Sequence, residues 1–258
     1  MKIIIPTKGR VHNQLTISNL PKELRNSMQI VCPEHEVRWH TSHFPDIEII
    51  VQPDPSMGIS LKRKWIMENT KEDKIVMLDD DLRFAVRRDD DRAKFRQATK
   101  EDILRAFLEL EAILDPEVPH AGFSARGGGI GASAQKGGWQ EGKRMMYVLG
   151  YHVPTVLQHA VIGRLETHED MDVCLQLLEK GFPNMVNYSF VVDQKFGSPG
   201  GCTNERTVEK NNADSLKLAE LHPRYVRVTQ KDYAASVPRI EVVCQWLQAL
   251  KDGLETRE

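Results

Sequence analysis

Three consecutive aspartates, Asp79, Asp80 and Asp81, close the apolar run of residues 75–78. A strand alternates its side chains, so this spacing predicts Asp79 and Asp81 on one face and Asp80 on the other. Two hard oxygen ligands on one edge suit Mg2+ or Mn2+, which bind through one or two carboxylates and complete their shell with water and phosphate oxygens. A buried strand that delivers like charges side by side needs a cation to offset their repulsion. A solvated acidic turn, the alternative, would need none. Glu169 and Asp170 form a second acidic pair at the start of a predicted helix, where the dipole and a capping box from Thr167 to Asp170 favour acids.

The cations fall in two groups. Lys62, Arg63 and Lys64 follow Gly58 near a helix start, placed either to meet an anionic ligand or to form a solvated face. Arg83, Arg87, Arg88, Arg92, Lys94, Arg96 and Lys100 crowd into a short span with Phe84 and Phe95. Cations beside aromatics suit a nucleic-acid strand. Three aspartates among them suit a plain surface loop. There is no H-E-x-x-H, no G-x-S-x-G elbow and no G-x-x-x-x-G-K-[ST] phosphate loop, and "GGGIG" neither follows a clear first strand nor opens a clear helix.

The elements that must hold these residues read as an α/β sandwich on a largely parallel sheet. "KIIIP", "QIVCP", "IEIIVQP" and "KIVML" predict four strands, each followed by the polar or glycine-containing sequence in which such folds place ligand loops. A helix opens after Gly58 with Leu61, Trp65 and Ile66 as its expected buried side. "TKEDILRAFLELEAILDP" predicts a helix with a Thr99–Asp102 capping box and a stripe of Ile103, Phe107, Leu110 and Leu114. The glycine-rich residues 120–139 are expected to be irregular. Then come a strand broken by Gly150, a helix capped by Thr167 and ended by Gly181, and a strand in "NYSFVVDQ". A loop over residues 197–214 and a terminal helix over residues 239–253, with Ile240, Val243, Trp246, Leu247 and Leu250 inward, complete the reading.

At 258 residues, with 40% hydrophobic and 28% charged residues, the chain can bury a sizeable core as one large domain. A net charge of −2 gives no global attraction to polyanions, so any such binding needs a local basic face. The apolar run of "MKIIIPTKGR" is too short for a signal peptide or membrane span, which predicts a cytoplasmic protein. Cys32, Cys174, Cys202 and Cys244 lack metal-site spacing and read as reduced structural thiols.

The order of the pieces resembles a glycosyltransferase of the GT-A fold, a Rossmann-like three-layer α/β sandwich. The resemblance rests on "IIIPTKGR", on Gly58 and Arg63 in "GISLKRK" with Lys62 and Lys64 departing from the pattern, on Asp79–Asp80–Asp81 as a D-x-D motif, and on Glu169–Asp170 as the downstream E-D motif. It covers about residues 1–200. A narrower likeness, through "IPTKGR", "LDDDLRF" with its basic insertion and "HEDMDVCLQLLEKGF", is to phage enzymes that glycosylate hydroxymethylated pyrimidines in DNA, the TET-associated group.

The resemblance implies a single domain over 1–258, with a nucleotide-sugar-binding half in 1–100 and an acceptor-binding, catalytic half in 101–258. It implies an inverting hexosyltransferase that uses a UDP-sugar and Mn2+ or Mg2+. Asp170 would be the catalytic base beside Glu169. Pro6, Thr7, Lys8, Arg10, Gly58, Arg63, Asp79, Asp80 and Gly150 would bind the nucleotide sugar. Asp79, Asp81 and Asp193 would hold the metal, with Gln194 the alternative third ligand. Arg87, Arg88, Arg92, Lys94 and Arg96 would hold DNA. A polysaccharide, lipid or small-molecule acceptor, a nucleotidyltransferase and a binding module without activity are the alternatives.

Overall fold

The computed structural model describes residues 1–128, 131–194, 207–231 and 238–257. Four apolar runs form the parallel strands β1 (Lys2–Pro6), β2 (Met28–Cys32), β3 (Glu48–Val51) and β4 (Lys74–Leu78), where the sequence predicts them. A ten-stranded sheet is completed by β5 (Leu82–Arg87), β6 (Phe95–Gln97), β7 (His120–Ala125), β8 (Trp139–Glu141), β9 (Val148–His152) and β10 (Asn184–Gln194). The order is β3-β2-β1-β4-β9-β7-β10-β5-β6, with β8 paired to β10. β5, β8 and β9 run against the others, so the sheet is mostly parallel. The chain leaves β1 to one side for β2 and returns on the other as β4, which makes the carboxyl ends of β1 and β4 the topological switch point where α/β sheets open a ligand crevice.

Helices cover both faces, and the strands are correspondingly apolar on both sides. Ile3, Ile5, Val76 and Leu78 pack with Phe107 and Leu110 of α4 (Lys100–Ile113). Ile4, Ile75 and Met77 pack on the other face with Ile66 and Met67 of α3 (Ile59–Asn69) and with Val173 and Leu177 of α7 (Glu169–Leu178). The predicted capping box of α4 forms in full. Short helices at Leu15–Asn19, Glu34–His43, Ala132–Lys136 and Val153–His159 are α1, α2, α5 and α6. Among the described residues, no helix is long and apolar enough to cross a membrane.

Several local expectations are corrected. Leu61 is 52% exposed, while Lys62 and Arg63 lie on the buried side of α3, because Lys62 donates to a backbone carbonyl there and Arg63 to a carboxylate. Residues 120–125 form strand β7 rather than loop. Their small side chains serve close packing: a Cβ on Gly122 would sit 2.2 Å from the carbonyl oxygen of Val148. Gly150 does not break β9 but pairs with both β4 and β7, and its Cβ would meet the Ala121 carbonyl at 2.7 Å.

The last quarter also differs. Residues 208–214, expected as loop, begin α8 (Val208–Leu221), with the Thr207 hydroxyl capping Lys210 N–H. Residues 195–206, with Cys202, lie outside the described residues. The expected terminal helix is a strand followed by a helix: "RIEVVC" is β12 (Arg239–Cys244), paired antiparallel with β11 (Val226–Lys231), and α9 spans Trp246–Arg257. Val243 and Leu247 are consequently exposed. The β-branched alternation of β12, matched across the hairpin by "VRVTQK", outweighs the helical spacing. Gly253 lets α9 pack against the end of α7, where a Cβ would lie 2.1 Å from Leu178 O.

Candidate active site

The strand β4 ends at Leu78, and the three aspartates lie in the turn beyond it. The turn is held from both sides. Thr16 N–H donates to Asp80 O, the Thr16 hydroxyl donates to Asp79 O, and Leu82 N–H donates to the Thr16 hydroxyl at 2.9 Å. The end of β1 supplies the side-chain partners. Arg10 Nη1 donates to Asp80 Oδ1 and to Asp81 Oδ2 at 2.7 Å, and the Thr7 hydroxyl donates to Asp80 Oδ2. Asp80 and Asp81 are thus bridged by one nitrogen, since a turn has replaced the strict alternation of a strand. Burial raises the Asp80 carboxyl above its ordinary range against the pull of Thr7 and Arg10. For Arg10 burial works the other way, but Asp80 and Asp81 overcome it and keep the guanidinium charged.

A second cation joins this turn to α7. Arg63 Nη2 donates to Asp79 Oδ1 at 2.9 Å, and Nη1 donates to Glu169 Oε1. Glu169 and Arg63 are 5% and 7% exposed. Burial opposes the charge on Arg63, yet Glu169 and Asp79 raise its pKa. Asp170 is half-buried beside Glu169 and accepts from Met171 N–H at 2.9 Å. The predicted cap of α7 is different in detail. His168, at φ 62°, occupies the capping position, while the Thr167 hydroxyl donates to Asp214 Oδ2 at 3.0 Å. Lys62 Nζ donates to Thr7 O at 2.8 Å and braces the β1 end. Gly58 precedes α3 with open space around it, and Lys8 follows Thr7 half-buried.

Asp79 and Asp81 do converge. The Gln194 amide, with nitrogen assigned toward them, reaches Asp81 Oδ1 at 2.8 Å and Asp79 Oδ2 at 3.4 Å. Turned over, the same amide would offer an oxygen to a cation. Two carboxylates and an amide oxygen are a donor set that Mg2+ or Mn2+ accepts when substrate phosphates fill the remaining positions. Asp193 is not in this group: its side chain is 42% exposed and pairs with Arg126 Nη1 at 3.3 Å. Among the described residues, no three His, Cys, Asp or Glu side chains form a closed metal cage. Gly150, inside the sheet, does not reach the crevice.

The arginine-rich span is a hairpin, β5–β6, at the sheet edge. Arg87 is 2% exposed and donates to the carbonyls of Tyr188 and Arg92 at 2.9 Å each. Arg88 pairs with Asp90, Arg92 with Asp89, Lys94 with Asp91, and Arg96 with Asp102. The intervening aspartates thus pair with Arg88, Arg92 and Lys94, while Arg96 is held by Asp102 and Arg87 by backbone carbonyls.

Tyr147 is a residue that sequence reasoning missed. Its φ is 68°, and Val148 N–H donates to Met146 O at 2.8 Å, so the residue centres a tight three-residue turn of the strained, positive-φ hand. Its carbonyl accepts from Asp79 N–H at 3.0 Å. Burial raises the pKa of its hydroxyl, and Asp79, Asp170 and Asp81 add to that shift while Arg144 opposes it. Nothing in "RMMYVLG" signals this, because a tyrosine among apolar residues reads as strand.

Solved structures of this architecture are glycosyltransferases. The mannosyltransferase PcManGT from Pyrobaculum calidifontis, in complex with GDP-Man and Mn2+, matches with a TM-score of 0.58 at 11% identity, over 86% of this chain and 64% of that one. S. aureus TarS 1-349 in complex with UDP matches at 0.52 and 11% identity, over 87% and 66%. The chain thus spans just under two thirds of these solved chains, and its fold is the GT-A glycosyltransferase fold. A profile of the TET-Associated Glycosyltransferase family matches residues 1–201, and the chain belongs to that family. The beta-glucosyl-HMC-alpha-glucosyl-transferases of Enterobacteria phages T2 and T6 are each 26% identical over 236 residues, 88% of this chain and 83% of theirs.

Proposed function

We propose that this chain, as one catalytic domain, transfers a hexose from a nucleotide sugar, a UDP-sugar by preference, to a hydroxyl on hydroxymethylated pyrimidine bases of phage DNA, with inversion at the anomeric carbon. The observation that carries the reading is the pair of charged hydrogen bonds that Arg63 donates. By holding Asp79 and Glu169 at once, it ties the acid triplet to the start of the helix that carries Asp170. The acceptor class is supported by the family and by the phage relatives, whose names specify HMC already bearing a beta-glucosyl group and an alpha-glucosyl product; inversion draws its support from Asp170 and not from those names.

In this mechanism Pro6, Thr7, Lys8, Arg10 and Gly58 border the nucleotide end of the donor, with Arg10, engaged by Asp80 and Asp81, holding the acid turn in place. Arg63, occupied by two carboxylates, acts as a positioning residue. A divalent ion held by Asp79 and Asp81 would supply Lewis acidity toward the leaving diphosphate. Asp170 removes the proton from the acceptor hydroxyl while that oxygen bonds to the anomeric carbon, and the bond from this carbon to the diphosphate oxygen breaks on the opposite face. Glu169 is engaged by Arg63, which leaves Asp170 as the carboxylate of the pair for the proton.

The test is Asp170→Asn. Calorimetry should find UDP-glucose binding in Mn2+ within about twofold of the parent, while transfer to hydroxymethylated DNA falls by about 10^2 to 10^4, the range for a lost general base. Unchanged transfer would reduce Asp170 to a helix-terminal acid and end this mechanism.

A further inference from the structure

Most hairpin residues named for DNA are paired with carboxylates, whereas a cavity beside them holds one arginine, Arg83, that has none among the described residues. About 380 Å³ in volume, it lies between β5, β6 and the turn at Arg126–Gly128, with Arg83, Arg96 and Arg126 in its walls and Phe84, Phe95 and Ile103 lining it. Arg83 is exposed and, among the described residues, has no carboxylate partner, unlike the neighbouring cations of the hairpin. Arg126 lies with its Cζ 4.9 Å from the centre of the Phe95 ring, and Arg87 lies 4.8 Å from the same ring. Phe95 thus fixes a solvent-facing guanidinium that would otherwise be free to sample many rotamers. The acids nearby are Asp193, which lines the cavity in an exposed pair with Arg126, and Asp102, which is engaged by Arg96.

The cavity borders the pair of strands whose next residues along reach the acid triplet. Asp193 and Arg83 face each other in register, and the next pair along the same two strands, Gln194 and Leu82, brings Gln194 to Asp79 and Asp81. Arg83 and Asp193 thus lie one residue pair along the strands from the Leu82–Gln194 pair, on the alternate face of the sheet.

We propose that this cavity binds the acceptor strand, taking a phosphodiester next to the target nucleotide between Arg83 and Arg126, with Arg96 as a third contact and the apolar lining meeting the sugar or base. The inference rests on the DNA reading above and deepens it. Guanidinium forks suit phosphate oxygens, and the volume is that of an ordinary ligand pocket. The target base must leave its stack to reach the crevice, so the enzyme needs to hold the flanking backbone.

The experiment compares the parent with Arg83→Ala, Arg126→Ala and the double variant, all at exposed positions, and with Arg83→Lys, which keeps the charge. A fluorescein-labelled oligonucleotide containing 5-hydroxymethylcytosine is titrated across a salt series, and transfer is measured to that oligonucleotide and to free 5-hydroxymethyldeoxycytidine. The double variant should lower the ratio of kcat/KM for oligonucleotide over nucleoside at least tenfold, mainly through KM. It should also reduce the slope of log affinity against log salt by about 1.5 to 2, the loss of two phosphate contacts. Arg83→Lys should recover part of the affinity. An unchanged ratio and slope, in a parent that does glycosylate the oligonucleotide, would overturn the cavity and leave the proposed function standing. A parent that transfers sugar to neither acceptor would overturn both.

Discussion

At the scale of single residues, the site is built from groups placed where they are costly. Asp80, Asp81, Arg63 and Glu169 are all under 10% exposed, and each is matched by an opposite charge, as buried ions require. Tyr147 adds backbone strain to this set, since a bulky residue at φ 68° is disfavoured. The strain can be isolated by two substitutions that both remove the ring. Tyr147→Gly should be more stable to urea than Tyr147→Ala by about 1 kcal/mol, because only alanine keeps the positive-φ penalty. Equal urea midpoints would show that the turn carries no penalty. The acids were legible in the sequence because their types and spacing are unusual. Tyr147 was not, because its conformation is imposed by Asp79, 68 positions away in the chain.

At the scale of elements, the decisive contact is between α3, the end of β4 and the start of α7, all pinned by Arg63. Arg63→Met should destabilise the protein by about 3 to 5 kcal/mol, because Glu169 would be left buried without its cation, and urea unfolding measures this directly. A loss under about 1 kcal/mol would mean that the carboxylates find water or another partner. The same elements show what a sequence can reveal. Strands β1 to β4 are apolar runs stopped by Pro, Asp or polar residues, and α4 carries its own capping box, so local chemistry defines them. On α3, Ile66 is buried and Trp65 half-buried as expected, but Leu61 is exposed and Arg63 takes a buried place, because Arg63 has its partner 106 residues away. Strand β7 looked like a loop because its small residues answer to neighbouring backbone, and β12 looked helical because its pairing partner β11 is supplied by another segment.

At the scale of the whole molecule, two buried histidines give stability opposite pH dependences. Burial pushes His120 down to about 4, so the folded state resists a proton that the unfolded chain accepts below about 6.5. Stability from this group therefore falls as pH drops from about 6.5 to 4, by about 3 kcal/mol in total if the full shift applies. His222 has the reverse sign: burial lowers its pKa, but Asp172 and Glu179 more than offset this and raise it. Its contribution is complete below about pH 6.5 and is lost as pH rises through the raised value. His120→Asn should flatten the acid limb of unfolding free energy measured from pH 6.5 to 4, and an unaltered limb would assign it to other groups.

The seam where β7 and β9 meet carries a further consequence. Gly122 and Gly150 face carbonyl oxygens so closely that not even a methyl group fits, so this middle zone of the molecule cannot thicken or re-space. Changes of spacing are thereby left to the outer strands of the sheet, such as the β5–β6 hairpin at one edge.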